Sequence, residues 1–467
     1  MLNNADARIA ETLTASGIMI REVNDAYLED QRGNCKGQGE VVALPRSTEE
    51  VATIVRLCGE ARVGILPYGG GTGLVVGHIA PEGPVPLILS LEKMNAIRAV
   101  YPEENTLIAE AGATISELHA AAEQAGRLFP LSYGSQDTAR IGGALAVNSG
   151  GLNVLRYGSA RDLCLGVEAV LPDGQIFHGL KRLRKDNTGY DLRNLLIGSE
   201  GTLGLITAAA LKLHPRPTNV ATAYLAVDSP KAALTLLSIF RERAGDTVSG
   251  FELIPAQSFL FLAEARPELR QPFATAPAWS VLVELGTGPS IDPEMLLAEV
   301  FESAMEAGLV HDGQIAQSGQ QRDGFWALRE NIPQANRHIG AIASHDIALP
   351  LGEVPGFMDE AKAAIEALLP CRINAFGHLG DGNLHYNVFP PEGETRDGYL
   401  HLSKKVTETV HDLTMARGGT FSAEHGIGRL KAGELARRGD PAKLAAMRTI
   451  KQALDPLGIM NPGAVLT

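Results

Sequence analysis

Three glycine-rich stretches constrain this 467-residue chain more than any other feature. They are Gly69-Gly70-Gly71-Thr72-Gly73, the run from Ile141 to Gly151, and Gly198-Ser199-Glu200-Gly201-Thr202-Leu203-Gly204. Glycine makes up 51 of the 467 residues, above a usual share of about 7%, and follows no collagen-like period. Consecutive glycines after a strand let backbone N–H groups converge on an anion that a side chain would hold away. Taken singly, each loop could be no more than a tight turn; three in one domain point to one extended ligand. The first does not match G-x-x-x-x-G-K-[ST], nor is it followed by the helix and acidic residue of a Rossmann fingerprint, so neither of those phosphate-binding folds is supported.

The elements around these loops are mixed. Ser47-Thr48-Glu49-Glu50 is a capping box, followed by Val51, Ile54, Val55 and Cys58 at helical spacing, then by the apolar run Val63–Leu66 that empties into the first loop. Val85–Leu91 and Thr106–Ala111 read as strands, and Thr114 with Glu117 opens a helix that Gly126 closes. Pro215-Arg216-Pro217 stops any element and serves as a linker. Beyond it, helices are expected at 231–244, 294–307 and 397–417, with a strand at Ser280–Leu285. Asp440 and Pro441 then start a helix running to Leu454. This organisation predicts an α+β protein with domains at 1–217 and 218–417 and a C-terminal segment, 418–467, that returns to the first.

With 41 Lys and Arg against 54 Asp and Glu, the net charge is −13, which leaves no electrostatic footprint for nucleic acid. No apolar run reaches membrane-spanning length, and the start MLNNADARIAETL lacks the order of a secretory signal, so a soluble cytoplasmic protein is expected. Cys35, Cys58, Cys164 and Cys371 form no C-x-x-C pair, which argues against structural zinc, iron–sulfur clusters and disulfides. The cationic run Lys181-Arg182-Leu183-Arg184-Lys185 reads as a solvated loop, the alternative being a docking site for an anion or an acidic partner.

Five of the twelve histidines fall between His378 and His425. His378 and His385 flank Gly380-Asp381-Gly382-Asn383, strong turn chemistry that can fold two strand arms so that both imidazoles face one point. His385 and Asn387, two apart, share a face. Glu424 precedes His425 in Ser422-Ala423-Glu424-His425-Gly426-Ile427-Gly428. Two His and one Glu with an open position are the ligand set of catalytic divalent metals, zinc in particular; buried core histidines and a solvated Glu are the alternative.

Pro67–Leu74, Ile141–Gly151 with Arg156-Tyr157-Gly158, and Ile197–Thr207 resemble, in order, the flavin-binding domain of the vanillyl-alcohol-oxidase-type flavoproteins. His378–Asn387, Ser422–Gly428 and the final Asn461-Pro462-Gly463 resemble the C-terminal domain of the FAD-linked D-2-hydroxyacid dehydrogenases, the family of D-2-hydroxyglutarate and D-lactate dehydrogenases and the flavin subunit of glycolate oxidase. The resemblance runs from about residue 40 to the C-terminus. It implies a two-part FAD-binding domain with a separate α+β substrate (cap) domain, and flavin-dependent oxidation of a D-2-hydroxy acid to the 2-oxo acid. It further implies that Pro67, Gly69, Gly70, Gly71, Thr72, Gly73, Leu74, Ser135, Thr138, Gly142, Gly143, Asn148, Gly151 and Ile206 line FAD. Where some relatives attach flavin through a His in the first loop, this chain has Thr72, so non-covalent FAD is expected. His378, His385 and Glu424 are implied metal ligands, for zinc or alternatively manganese or cobalt, with His425 as base and Asn387 and Arg329 on the substrate.

Two departures bear on specificity. Pro333 stands where the relatives have a substrate-contacting Thr, and Ser344, in the substrate-contacting position, replaces a Lys. The loss puts binding of a second substrate carboxylate in doubt unless Arg337, His338 or His345 compensates. With no iron–sulfur relay on the chain, a separate electron acceptor is implied; electron-transfer flavoprotein and a quinone both fit, as does a homodimer. Two rival readings remain at this level: a metal-dependent hydrolase acting on a nucleotide-like substrate, and a non-catalytic flavin electron-carrier subunit.

Overall fold

The computed structural model describes residues 1–31, 33 and 35–466. It divides into two compact units, Met1–Gly151 with Gly158–Arg216 and Glu424–Thr467, and Leu152–Tyr157 with Pro217–Ala423. The sequence puts the boundaries at 217 and 417; the units part after Arg216 and Ala423, and the short piece 152–157 goes with the second unit.

In the first unit, the strands Val41–Ala43, Leu87–Ser90 and Ile65–Tyr68 run parallel, with Ile20–Glu22 antiparallel at one edge. The continuous apolar character of Val41–Ala43 and Leu87–Ser90 follows from burial on both faces. The helix Thr48–Ala61 starts at Ser47, which accepts from Glu50 N–H. The expected capping box is only half formed, because the Glu50 carboxylate turns to Arg46, accepting from its backbone N–H at 2.8 Å and pairing with its guanidinium. Thr114 and Glu117 do form the reciprocal box that opens Ile115–Gln124. A second, antiparallel sheet has the order Ile97–Tyr101, Thr106–Glu110, Leu205–Lys212, Cys164–Val170, Ile176–Gly179. The helix Pro441–Leu454 begins at N-cap Asp440, which accepts from Lys443 N–H. After it, Ile459 and Met460 enter the core, and the Ile459 carbonyl accepts from Ile65 N–H at 2.7 Å, so the C-terminal segment braces the strand that carries the first glycine loop.

The second unit is built on a seven-stranded antiparallel sheet ordered Val310–Ile315, Asn219–Val227, Trp279–Thr287, Val248–Pro255, Arg372–His378, Asn383–Phe389, Ala343–Ala348. Alternation along Asn219–Val227 divides the cores: Ala223, Leu225 and Val227 enter one, Tyr224 and Ala226 the other. Helices Pro230–Ala244, Pro293–Glu306, Val354–Glu366 and Ser403–Ala416 contribute to the first core, and Ala256–Ala265 and Gly319–Ile339 to the second. The helix expected at 397–417 is regular only from Ser403; short 3-10 turns at Arg396–Gly398 and Leu400–Leu402 precede it, Gly398 disfavouring a continuous helix.

Candidate functional site

Two strand arms present the histidines of the second unit. Arg372–His378 and Asn383–Phe389 form a hairpin closed by Asp381 N–H donating to the His378 carbonyl, with Gly382 at φ +81°. The turn expected at Gly380–Asn383 is therefore present, and it brings the two imidazoles together with ring centroids 5.5 Å apart and planes at 81°. Register puts Asn374, Phe376, His385, Asn387, Ser344 and Asp346 on one face of three neighbouring strands, since Asn387 pairs with both Asn374 and Ser344 and His385 with both Phe376 and Asp346.

A carboxylate stands behind the first imidazole. Glu252, the register partner of His378, accepts from His378 Nδ1–H at 2.6 Å on one oxygen and from Arg329 Nε–H at 2.7 Å on the other. The side chains of Arg329, Glu252 and His378 are 4%, 1% and 9% exposed. Burial opposes ionisation of Glu252, but Arg329 and His378 outweigh it and hold the carboxyl below the usual range. With Nδ1–H committed, His378 carries its lone pair on Nε2, the arrangement of a metal-ligating imidazole with a carboxylate behind it. The Arg329 guanidinium stacks over Phe376 at 4.8 Å, and its buried Nη2 has no hydrogen-bond partner among the described residues. A buried guanidinium nitrogen with unspent donors fits a ligand carboxylate.

Around it, the polar side chains lock one another. Ser258 Oγ donates to Asn374 Oδ1 at 2.7 Å, Asn374 Nδ2 donates to Asn336 Oδ1 at 2.8 Å, and Asn387 Nδ2 donates to the carbonyls of His385 and Asn374 at 2.9 and 3.2 Å. What Asn387 retains is its Oδ1. His385 Nδ1 lies 3.9 Å from Asp346 Oδ1, beyond hydrogen-bond length. Ser344 and Pro333 are exposed, as are Arg337 and His338. The suggestion that His345 compensates for Ser344 is corrected: adjacent residues on a strand face opposite ways, and His345 is on the far side, donating from Nδ1 to the Tyr386 carbonyl at 2.7 Å with its ring 5.5 Å from His411.

In the first unit the glycine loops take different parts. The loop Gly69–Leu74 is half-buried, and among the described residues no acceptor takes the N–H groups of Gly70, Gly71, Thr72 and Gly73. Donors left unspent in a half-buried loop fit a diphosphate. Gly143 is open on its Cβ side, and Ser135 is half-buried and Thr138 exposed. Gly142 has a packing reason of its own, since a Cβ there would come within 2.7 Å of Ala111 Cβ. Asn148, at φ +55°, spends its Oδ1 on Arg161 N–H and Ser159 Oγ–H at 2.9 and 3.0 Å. Ile206 is buried in the strand Leu205–Lys212. Gly151 N–H donates to Glu424 Oε1 at 2.7 Å, and a Cβ on Gly150 would collide with that carboxylate, so these glycines seat Glu424.

The loop carrying Glu424 and His425 is fixed from Glu200, whose two carboxylate oxygens accept from Ile427 N–H at 2.7 Å and Gly428 N–H at 2.8 Å. Arg429 then donates to the carbonyls of Gly77 and Pro462 and to Asn461 Oδ1. Glu252, Asp346 and Glu200 are site residues that reading the sequence missed. A lone acid in the apolar strand Val248–Pro255 is the signal that could have marked Glu252. In the cationic run, Lys181 pairs with Asp186 and Arg182 with Glu104.

Residues 39–179 match the FAD binding domain family, and residues 216–465 match the FAD linked oxidases, C-terminal domain. The chain belongs to the FAD-linked oxidase family. Among curated relatives of this FAD-linked oxidase, the mitochondrial D-2-hydroxyglutarate dehydrogenase of Arabidopsis thaliana is 35% identical over 92% of this chain and 76% of its own. D-2-hydroxyglutarate dehydrogenase of Stutzerimonas stutzeri (strain A1501) is 32% identical over 97% of each. Solved structures with the same fold include p-cresol methylhydroxylase with substrate bound, at TM-score 0.72 and 16% identity over 98% of this chain and 92% of that one. Another is 4-ethylphenol oxidase from Gulosibacter chungangensis, at TM-score 0.70 and 17% identity over 100% and 99%. These relatives carry the vanillyl-alcohol-oxidase-type fold expected from the loops. Among the described residues, no helix is long and apolar enough to cross a membrane.

Proposed function

We propose that this FAD-linked oxidase oxidises a D-2-hydroxy acid, with Arg329 on the substrate carboxylate, His425 as the base and His378, His385 and Glu424 as ligands of a divalent cation, zinc in the first instance. The observation that carries the reading is the buried Arg329–Glu252–His378 chain, in which a guanidinium with an unspent Nη2 stands beside an imidazole fixed in its ligand tautomer. Support for the third ligand comes from chain connectivity: Ala423 N–H donates to the carbonyl of Asp346, the register partner of His385, and Glu424 is the next residue. When bound, FAD would supply the hydride acceptor, and a divalent cation held by His378, His385 and Glu424 would make the hydroxyl more acidic, the charge effect that brings the pKa of zinc-bound water down to about 7.

The chain's own residues do the rest. Arg329 grips the carboxylate and so orients the acid with respect to its single C2 hydrogen. Asn387 Oδ1 accepts a hydrogen bond from substrate. His425 removes the hydroxyl proton, imidazole being the side chain that titrates near working pH. The loop Gly69–Gly73 holds the FAD diphosphate on its N–H groups, without a covalent link. The four cysteines are separate thiols, so electrons leave to a separate acceptor, electron-transfer flavoprotein or a quinone. The relatives' names favour D-2-hydroxyglutarate, with D-lactate-like acids next because Ser344 offers no cation for a second carboxylate.

Anaerobic mixing with D- and L-lactate, 2-hydroxyglutarate and malate tests the proposal. One or more D-acids should bleach the flavin, EDTA should abolish the bleaching, and zinc, manganese or cobalt should restore it. A flavin left oxidised by every acid refutes the oxidation, and undiminished bleaching of metal-free protein refutes the role of the cation.

A further inference from the structure

Glu252 lies 77 residues from Arg329 and 126 from His378 in sequence, yet it is hydrogen-bonded to both. Its two oxygens are divided between them, Oε2 to Arg329 and Oε1 to His378. A nearby acid makes a useful contrast: Glu284, on the adjacent strand, accepts from Thr222 Oγ1 at 3.1 Å, Ser249 Oγ at 3.2 Å and Trp326 Nε1 at 2.6 Å and, among the described residues, hydrogen-bonds to no candidate ligand or substrate residue. We infer that Glu252 is a positioning residue that couples substrate grip to metal ligation, one carboxylate setting both the plane of the Arg329 guanidinium and the tautomer of the His378 imidazole. The inference rests on the proposed roles of Arg329 and His378.

The chemistry of the carboxylate makes the coupling obligatory. Both neighbours are donors, and an ionised carboxylate is the side chain that accepts on both oxygens at once. An amide in its place has one acceptor. If its oxygen keeps Arg329, its NH2 faces His378 Nδ1, which must then accept; the ring proton moves to Nε2 and the ligand lone pair is lost. If its oxygen keeps His378, its NH2 meets the guanidinium donor to donor and Arg329 swings out of plane. Glu252→Asp keeps the charge but is one methylene shorter, so it cannot span both partners.

The test uses the full-length, FAD-loaded protein as wild type, Glu252→Gln, Glu252→Asp and, as a control for losing a half-buried, hydrogen-bonded acid on the adjacent strand, Glu284→Gln. Zinc affinity is read by competition with a chromophoric chelator. The grip on the carboxylate is read separately in chelator-treated protein, from the flavin absorbance change on titration with pyruvate and with 2-oxoglutarate. Flavin content is expected to be unchanged, zinc affinity to fall about 10- to 100-fold in both Glu252 variants, and the 2-oxo acid dissociation constant to rise about tenfold without metal. Glu284→Gln should leave both affinities as in wild type. If Glu252→Gln does not fold, Glu252→Asp carries the test. Wild-type affinity for either zinc or the 2-oxo acid in the Glu252 variants overturns the coupling, as does an equal loss in Glu284→Gln. Wild-type protein that binds no zinc overturns the parent reading and the coupling with it, whereas normal wild-type binding with unaltered variants overturns the coupling alone.

Discussion

Replacing Glu200 by Gln exchanges one carboxylate oxygen for an NH2 and should loosen the loop that carries Glu424 and His425. Glu200 is buried at φ +53°, a left-handed conformation that costs a non-glycine residue about 1 kcal/mol or more. Its carboxylate accepts from Ile427 N–H and Gly428 N–H at 2.7 and 2.8 Å, and Gly426 and Gly428 are themselves left-handed at φ +79° and +53°. Hydrogen bonds to a charged group contribute roughly 1.5–3 kcal/mol each, and a buried N–H left without an acceptor costs about 1–3 kcal/mol. Gln can accept only one of the two N–H groups and turns its own NH2 toward the other. Against this, burial pushes the Glu200 carboxyl up even though both N–H bonds and Lys431 and Arg429 pull it down, so a neutral side chain recovers part of the loss. The net cost is about 2–3 kcal/mol, or a fall in Tm of about 4–12 °C for a unit of this size. Thermal unfolding of the FAD-loaded protein, followed by circular dichroism, reads the stability. Turnover with the preferred hydroxy acid reads the loop and should fall about 10²-fold, the size of effect expected when a reacting group shifts by about 1 Å. A Tm within about 1 °C of wild type, together with unaltered turnover, would refute the anchoring role.

His425→Ala should retain FAD and lower kcat by about 10² or more, the usual contribution of a positioned base; near-normal turnover rules out that assignment. Burial pushes the Cys58 and Cys164 thiols up to about 12, so at pH 8 they are protonated, whereas Cys35 and Cys371 are only half-buried. A chromogenic disulfide at pH 8 should leave Cys58 and Cys164 unmodified in folded protein and react with all four cysteines in urea; equal rates in both conditions would contradict the packing.

Local chemistry made much of this protein legible in its sequence. Thr114 with Glu117, and Asp440 with Pro441, mark helix starts because a cap needs only residues within one turn. The Gly-Asp-Gly-Asn turn brings His378 and His385 together because a hairpin is closed by its own few residues. Even here a neighbour intervened, Arg46 taking the Glu50 carboxylate that completes a capping box on paper.

Periodicity, caps and turns, all short-range, thus determined the element types, the mixed architecture and the glycine loops. Which strands became neighbours, and in what register, was decided by tertiary structure. Glu252 reached His378 through pairing of Val248–Pro255 with Arg372–His378, and Ser344 rather than His345 joined the face of Asn387 through the register of Ala343–Ala348. A shift of one residue would have exchanged those faces while leaving the apolar pattern of each separate segment almost unchanged. Sequence spacing carries no record of such a choice, because the energy that makes it comes from packing the whole sheet between its helices.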